Sequence, residues 1–217
     1  MSVKIKKSLS LLLTVLTLIS CFSLGLISYA VGTVAALKAT KATENTVTLT
    51  WSKVADADGY RLYKYDFANK KWLTLKTTTA TSFTDQKLSA GTLHAYGVRA
   101  IEVVDKKYVY GNASNIVKVL TLPGATNNLK ATKITADSLT LTWDKATGAK
   151  GYAVYQYNTS TKKYLRIAAP SENTYTVKGL RSSTTYKFAV QAYVKDGYVA
   201  YGKEAYITPK TLGPNDL

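Results

Sequence analysis

The sequence predicts an all-β protein made of two tandem β-sandwiches of seven strands each, preceded by an N-terminal signal segment. Three observations support this prediction: the chain repeats itself at a spacing of 92 residues, its apolar residues alternate with polar ones, and no stretch after residue 30 has a helical period. The chain has 217 residues, of which 46% are hydrophobic. That content is enough to form packed cores and argues against general disorder.

The first 30 residues have the layout of a secretory signal. Three lysines within the first seven residues precede an uncharged apolar run, which ends in the small-x-small sequence Ser28-Tyr29-Ala30. We therefore predict export, with a mature chain that begins near Val31.

Two alternatives for this segment stay open. The apolar run is long enough to serve as an uncleaved N-terminal anchor. In addition, Leu18-Ile19-Ser20-Cys21 resembles the bacterial lipobox, in which the cysteine is lipidated. All three interpretations place the protein outside the cell, either secreted or at the cell surface, with membrane contact only through this segment.

The rest of the chain is an internal duplication. Residues 37–100 align without a gap to residues 129–192, with 24 identities in 64 positions. This spacing is too long for a solenoid and fits tandem autonomous domains. We place the boundary at Pro123-Gly124. The predicted organisation is a signal segment at 1–30, a first module at 31–122, a second module at 123–213 and a tail at 214–217.

Each module has short segments in which apolar and polar residues alternate. In the second module Leu139, Leu141 and Trp143 share one face, and threonines occupy the other. The predicted strands of this module lie at 129–134, 138–143, 151–157, 164–168, 174–177, 184–194 and 199–208. Seven alternating strands in about 90 residues indicate a β-sandwich.

Three motifs resemble the fibronectin type III family, whose modules are immunoglobulin-like sandwiches. They are a tryptophan in the second strand, a Gly-Tyr-x-aliphatic third strand, and a Leu-x-x-x-Thr-x-Tyr-x-Phe sequence at the sixth strand. The residues concerned are Trp51 and Trp143, Gly59-Tyr60 and Gly151-Tyr152, and Leu180, Thr184, Tyr186 and Phe188. The modules also resemble those of secreted proteins of Gram-positive bacteria.

The resemblance implies structural roles for Trp51, Trp143, Tyr186 and His94. In the family the tyrosine of the third motif forms a corner, in which its hydroxyl bonds to the backbone of the preceding turn, and Tyr186 fits this role. His94 stands at the same position in the first module. A neutral imidazole there has a single hydrogen to donate.

The composition excludes several kinds of chemistry. With one histidine and one cysteine in the whole chain, a disulfide scaffold, a cysteine-ligated metal site and a mechanism with two histidines are all excluded. Asp56 and Asp58 precede a turn, but no further ligand follows at calcium-loop spacing. We predict a protein without catalytic activity, metal site or cofactor.

The chain is strongly basic, with 29 Lys and Arg against 13 Asp and Glu and a net charge of +16. Its lysines are spread over predicted turns and not clustered, so we predict no nucleic-acid partner. An alternative explanation for this spread of lysines is that they are exposed to solvent and keep the protein soluble. Outside the cell, a basic surface favours anionic wall polymers and acidic polysaccharides as partners. We expect a monomer.

Aromatic residues recur on the predicted outward face of the third and fourth strands. They are Tyr155, Tyr157 and Tyr164 in the second module and Tyr63, Tyr65 and Trp72 in the first, with Tyr193 and Tyr201 as an extension of the row. Exposed aromatic side chains can stack on sugar rings or hold a flat protein surface. Cross-strand tyrosine pairs also stabilise a sheet face without any ligand.

Two hypotheses for function follow. In the first, the protein is an exported, non-catalytic binding or adhesion module for a cell-wall polymer, a polysaccharide or a surface protein. In the second, it is a structural spacer or assembly component with no ligand of its own.

Overall fold

The structure is a computed structural model that describes residues 31–216. The predicted signal segment and its alternatives, including lipidation of Cys21, lie outside these residues. All regular elements between residues 31 and 216 are β-strands, and no helix in that range could span a membrane. The strands form two successive sandwiches, each with a three-stranded and a five-stranded sheet. The all-β prediction and the tandem arrangement are confirmed.

The first module contains eight strand segments. They are β1 (Lys38–Ala42), β2 (Val47–Thr50), β3 (Gly59–Asp66), β4 (Lys71–Thr78), β5 (Ser82–Asp85), β6 (Leu93–Val104), β7 (Lys107–Ala113) and β8 (Val117–Leu120). One sheet has the order β1-β2-β5, and the other has the order β4-β3-β6-β7 with β8 also paired to β6. All pairings are antiparallel.

The second module repeats this arrangement. Its strands are β9 (Lys130–Thr132), β10 (Ser138–Thr142), β11 (Gly151–Asn158), β12 (Lys163–Ala168), β13 (Thr174–Lys178), β14 (Phe188–Asp196), β15 (Tyr198–Tyr201) and β16 (Ala205–Ile207). The sheets are β9-β10-β13 and β12-β11-β14-β15, with β16 also paired to β14.

Each module has eight segments where seven strands were predicted, because the last strand is divided in two. In the first module the amide of Val98 on β6 donates to the side chain of Ser114 at 2.9 Å, and the amide of Ser114 donates to the carbonyl of Val98 at 2.9 Å. This side-chain bond interrupts the backbone ladder between β7 and β8.

The sixth strand of the second module also begins later than predicted, at Phe188, since the preceding residues make one isolated bridge, from Thr185 to Lys210.

A tryptophan packed on a tyrosine lies in the core of each module. The ring centroids of Trp51 and Tyr60 are 5.6 Å apart, and those of Trp143 and Tyr152 are 5.2 Å apart, both in edge-to-face geometry. Each tyrosine hydroxyl accepts a backbone amide at 2.9 Å, from Val54 in the first module and from Ala146 in the second. The same aromatic pair therefore anchors both sandwiches by the same contacts.

The tyrosine corner is present in the second module and absent from the first. The hydroxyl of Tyr186 accepts the amide of Arg181 at 2.8 Å, which is the bond that the family resemblance implies. His94 is buried at the corresponding place, and its Nε2 has no hydrogen-bond partner. Burial, together with the nearby positive charge of Lys64, lowers the pKa of His94 to about 4. The imidazole is therefore neutral near pH 7.

A polar cluster lies beside His94 in the first module. The carboxylate of Asp85, which is 6% exposed, accepts hydrogen bonds from the ammonium of Lys64 at 2.9 Å and from the hydroxyl of Tyr96 at 2.8 Å. Burial and the bond to Asp85 raise the pKa of Tyr96. The second module has an uncharged version of this cluster, with Gln156, Val177 and Phe188 at the corresponding positions.

The two modules touch through a pair of glycines. Gly91 and Gly148 both have positive φ angles, 62° and 71°. A Cβ atom at Gly91 would lie 2.2 Å from the carbonyl oxygen of Gly148, and one at Gly148 would lie 2.3 Å from that of Ala90. Both the backbone conformation and the close approach therefore require glycine at this contact.

Candidate ligand-binding face

The candidate site lies on the outward face of the five-stranded sheet in each module. Along β3, Tyr60 and Leu62 point into the core and are buried, so the alternation of the strand places Tyr63 and Tyr65 on the opposite face. The strand β11 follows the same pattern. The structure places all six predicted aromatic residues on these outward faces.

The aromatic residues of the first module form a cluster at the edge formed by β3 and β4. Tyr65 pairs across the strands with Trp72, with ring centroids 5.3 Å apart, and Phe67 packs against Tyr65 at 5.0 Å. Trp72 remains 40% exposed. Its indole therefore keeps a large apolar surface available to a partner.

A shallow groove of about 340 Å³ runs beside Trp72. Tyr63 and Trp72 form one wall, Ile116 and Arg99 form the other, and Gly97 forms the floor. A Cβ atom at Gly97 would lie 3.8 Å from the indole of Trp72. The absence of a side chain on this strand thus leaves room next to the indole.

Two arginines lie opposite each other on the same face. Arg99 and Arg61 are a cross-strand pair on β6 and β3. Both guanidinium groups pack on Tyr110, at 5.7 Å and 5.0 Å from its ring centroid, and Arg61 also lies 4.9 Å from that of Tyr108. The Nε of Arg99 donates to the carbonyl of Gly111 at 2.8 Å, and Arg61 donates to the hydroxyl of Tyr110. These contacts fix the planes of both guanidinium groups.

The second module has a smaller groove, of about 190 Å³, at the same place. Tyr164 lies at its centre, 5.2 Å from Tyr157 and 5.5 Å from Tyr206 between ring centroids. The hydroxyl of Tyr206 donates to Glu204, and this hydrogen bond is the main cause of the raised pKa of Tyr206. Burial and the neighbouring Tyr201 raise the pKa of Tyr155, which also lines the groove.

Three substitutions account for the difference between the grooves. Ala189 takes the place of Gly97 on the floor, and Tyr206 takes the place of Ile116 on the wall. Gln191 stands at the position of Arg99. The groove of the second module is therefore partly filled by its own side chains and lacks the guanidinium group.

The sequence predicted one wall of each groove and missed the other. Tyr193 and Tyr201 do form a cross-strand pair, with centroids 6.2 Å apart, and Tyr201 lies beside Tyr155. The missed residues are Gly97, Arg99, Ile116, Glu204 and Tyr206. The sequence does contain a signal for Gly97 and Arg99: both alternate with the core residues of β6, which places them on the outward face. Ile116 and Tyr206 follow the break in the last strand, where the repeat spacing no longer holds.

Of the two aspartates considered as calcium ligands, Asp58 has a structural role. The carboxylate of Asp58 accepts the amide of Val103 at 2.7 Å. Asp56 is exposed. Over residues 31–216, no three His, Cys, Asp or Glu side chains come close enough together to hold a metal ion.

Comparison with known proteins identifies the modules. The family model described as the fibronectin type III domain matches residues 123–208. The chain is 32% identical over 196 residues to exoglucanase B of Cellulomonas fimi and 31% identical over 181 residues to chitinase A1 of Niallia circulans. These alignments cover 82% and 77% of this chain but 17% and 24% of the two relatives. The chain therefore spans less than a quarter of either relative's length.

A solved structure supports the fold of both modules together. The two fibronectin type III domain segment from chicken tenascin superimposes with a TM-score of 0.58 at 21% identity, over 82% of this chain and 99% of the tenascin segment. The first module has the same sheet order as the second and the same buried tryptophan–tyrosine pair. The second module therefore belongs to the fibronectin type III family, and the first module is a second copy of the same fold.

Proposed function

We propose that this protein is an exported, non-catalytic polysaccharide-binding module that works outside a bacterial cell, with the groove of the first module as its binding site. The observation that carries the proposal is the open groove between Trp72 and Ile116, with Gly97 as its floor. An indole with free space beside it presents a flat apolar surface, which suits the apolar face of a sugar ring.

The relatives support polysaccharide as the ligand class. Exoglucanase B and chitinase A1 carry names that refer to glucan and chitin, and their similarity to this chain covers both modules. Binding to the polysaccharide is a role that suits a non-catalytic module of such an enzyme. From the predicted signal segment we also propose that this chain works outside the cell.

The second candidate function is a spacer with no ligand of its own. It is favoured by the second module, where Tyr157, Tyr164 and Tyr206 pack on one another and reduce the groove to about 190 Å³. Such mutual packing stabilises an exposed sheet face without a partner. We therefore assign the spacer role to the second module and the binding role to the first.

Affinity electrophoresis tests this assignment. The chain from Val31 onward would be run through native gels that contain soluble glucans, glycol chitin or acidic polysaccharides at physiological salt. We expect retardation by at least one of these polymers, lost in Trp72→Ala and retained in Tyr198→Ala, which removes a similarly exposed aromatic ring outside the groove. The Tyr155→Ala/Tyr157→Ala variant should behave like the unmodified chain. Loss of retardation in that variant and not in Trp72→Ala would move the site to the second module.

A further inference from the structure

We infer that the groove of the first module selects a sugar that carries a carboxylate, such as a uronic acid residue, and that Arg99 is the residue that recognises it. This inference rests on the proposed function, because it names the chemical class of ligand for the same groove. It goes further in assigning a charge to the ligand and a role to an arginine that the aromatic pattern does not include.

The position of Arg99 supports this role. Arg99 is the only charged residue that lines the groove, and it lies on the same strand face as Gly97. Its Nε is held by the carbonyl of Gly111, and its guanidinium packs on the ring of Tyr110. The side chain is thus held in place before a ligand arrives, which lowers the entropy cost of binding.

Among the described residues, no carboxylate forms an ion pair with Arg99. The single ion pair among residues 31–216 joins Lys64 to Asp85, so neither Arg99 nor its cross-strand neighbour Arg61 has a carboxylate within 4.0 Å. Two guanidinium groups that pack on the same ring, that of Tyr110, repel each other. An anion bound between or beside them would relieve that repulsion.

The second module shows the opposite charge at the same place. Its groove is lined by one charged residue, Glu204, and Gln191 replaces Arg99. The two grooves share tyrosine walls but differ in the sign of their only charge. Charge complementarity therefore assigns an acidic ligand to the first groove and not to the second.

The chemistry of the two groups fits a uronic acid. The guanidinium group presents parallel N–H donors that match the two oxygens of a carboxylate, and such charge-assisted pairs are stronger than neutral hydrogen bonds. The indole of Trp72 and the ring of Tyr63 contact the apolar face of the sugar. A phosphate or sulfate group would use the arginine but not the aromatic wall.

The test uses two polymers that differ only in the carboxylate. Polygalacturonate and its fully methyl-esterified form would be compared in affinity gels at physiological salt, together with polyglutamate as a sugar-free polyanion. The unmodified chain from Val31 onward should bind polygalacturonate at least about tenfold more tightly than the ester, since the ester has no charge with which to form a charge-assisted hydrogen bond to the guanidinium group. It should not bind polyglutamate comparably.

Three variants test which residues cause the preference for polygalacturonate over its methyl ester. Arg99→Gln installs the residue of the second module and should abolish the preference for the acid. Ile116→Glu places a carboxylate on an exposed wall of the groove and should do the same, which covers the case in which Arg99→Gln does not fold. Lys41→Gln removes one positive charge from the opposite sheet and should leave the preference unchanged.

Several results would overturn the inference. If the unmodified chain bound polygalacturonate and its methyl ester equally, and Trp72→Ala bound neither, the acidic ligand would be refuted and the proposed function would stand. An equal loss in Lys41→Gln, or tight binding to polyglutamate, would show a response to net charge alone. No binding to either galacturonan by the unmodified chain would refute the inference. The proposed function would be refuted together with this inference only if the unmodified chain also bound none of the neutral polymers.

Discussion

The two modules share a framework and differ in two regions, one inside the sandwich and one on its surface. Both keep the tryptophan–tyrosine pair and the same sheet order. The first module has a polar cluster around Asp85 and an open, basic groove, whereas the second has a tyrosine corner and a groove filled by Tyr206. The same fold therefore accommodates two different interiors and two different surfaces, so stability and binding can be tested separately by exchanging residues between the modules.

The largest effect is expected from removing Asp85. Asp85→Ala leaves the ammonium of Lys64 and the buried hydroxyl of Tyr96 without their acceptor, and we expect it to lower the free energy of unfolding by about 2–4 kcal/mol. Urea unfolding monitored by tryptophan fluorescence measures this loss.

A triple exchange is the control for this cluster. Lys64→Gln, Asp85→Val and Tyr96→Phe together install the residues of the second module. We expect a change of less than about 1.5 kcal/mol, because this exchange removes both charges and the buried hydroxyl together and leaves no buried charge unpaired. If the triple variant lost as much stability as Asp85→Ala, the interiors of the two modules would not be interchangeable.

The next effect is an acid sensitivity caused by His94. Its pKa is about 4 in the folded protein and about 6.5 in an unfolded chain, so the unfolded chain takes up the proton first. The contribution of His94 to stability is therefore complete above about pH 6.5 and is lost as the pH falls towards 4. We expect a loss of up to about 3 kcal/mol over this range, measured by urea unfolding at several pH values.

The variant His94→Tyr tests whether His94 causes this acid sensitivity, because it installs the residue found at the corner of the second module. A tyrosine at this position cannot take up a proton in acid, and its hydroxyl can accept the amide of the preceding turn, as that of Tyr186 does. We expect this part of the acid sensitivity to disappear. An unchanged pH dependence in the variant would mean that other groups cause it.

A smaller effect is expected at the corner of the second module. Tyr186→Phe removes the bond from the Arg181 amide and keeps the ring, which stacks on Phe188 at 6.1 Å. We expect a loss of about 0.5–1.5 kcal/mol in urea unfolding, the usual contribution of one hydrogen bond. His94→Phe is the matched variant and should lose no hydrogen bond, because the Nε2 of His94 has none.

Local patterns predicted the elements of the fold, but not the contacts that join distant elements. Alternation placed Tyr63 and Tyr65 outward, since the direction of each side chain depends only on its own strand. The ion pair between Lys64 and Asp85 joins strands of opposite sheets, and no periodicity reports such a pairing. The position of Ile116 depends on the side chain of Ser114, which replaces a ladder bond and shifts the register of the last strand. The signal segment and the exact domain limits stay predictions.

Closing the groove of the first module with the residues of the second tests whether this groove is the binding site. Gly97→Ala adds a methyl group at 3.8 Å from the indole of Trp72, an ordinary van der Waals contact, and Ile116→Tyr adds a ring at an exposed position. We expect this double variant to unfold at nearly the same urea concentration as the unmodified chain but to be no longer retarded by the polysaccharide that retards that chain. Undiminished retardation of a folded double variant would contradict the proposed binding site.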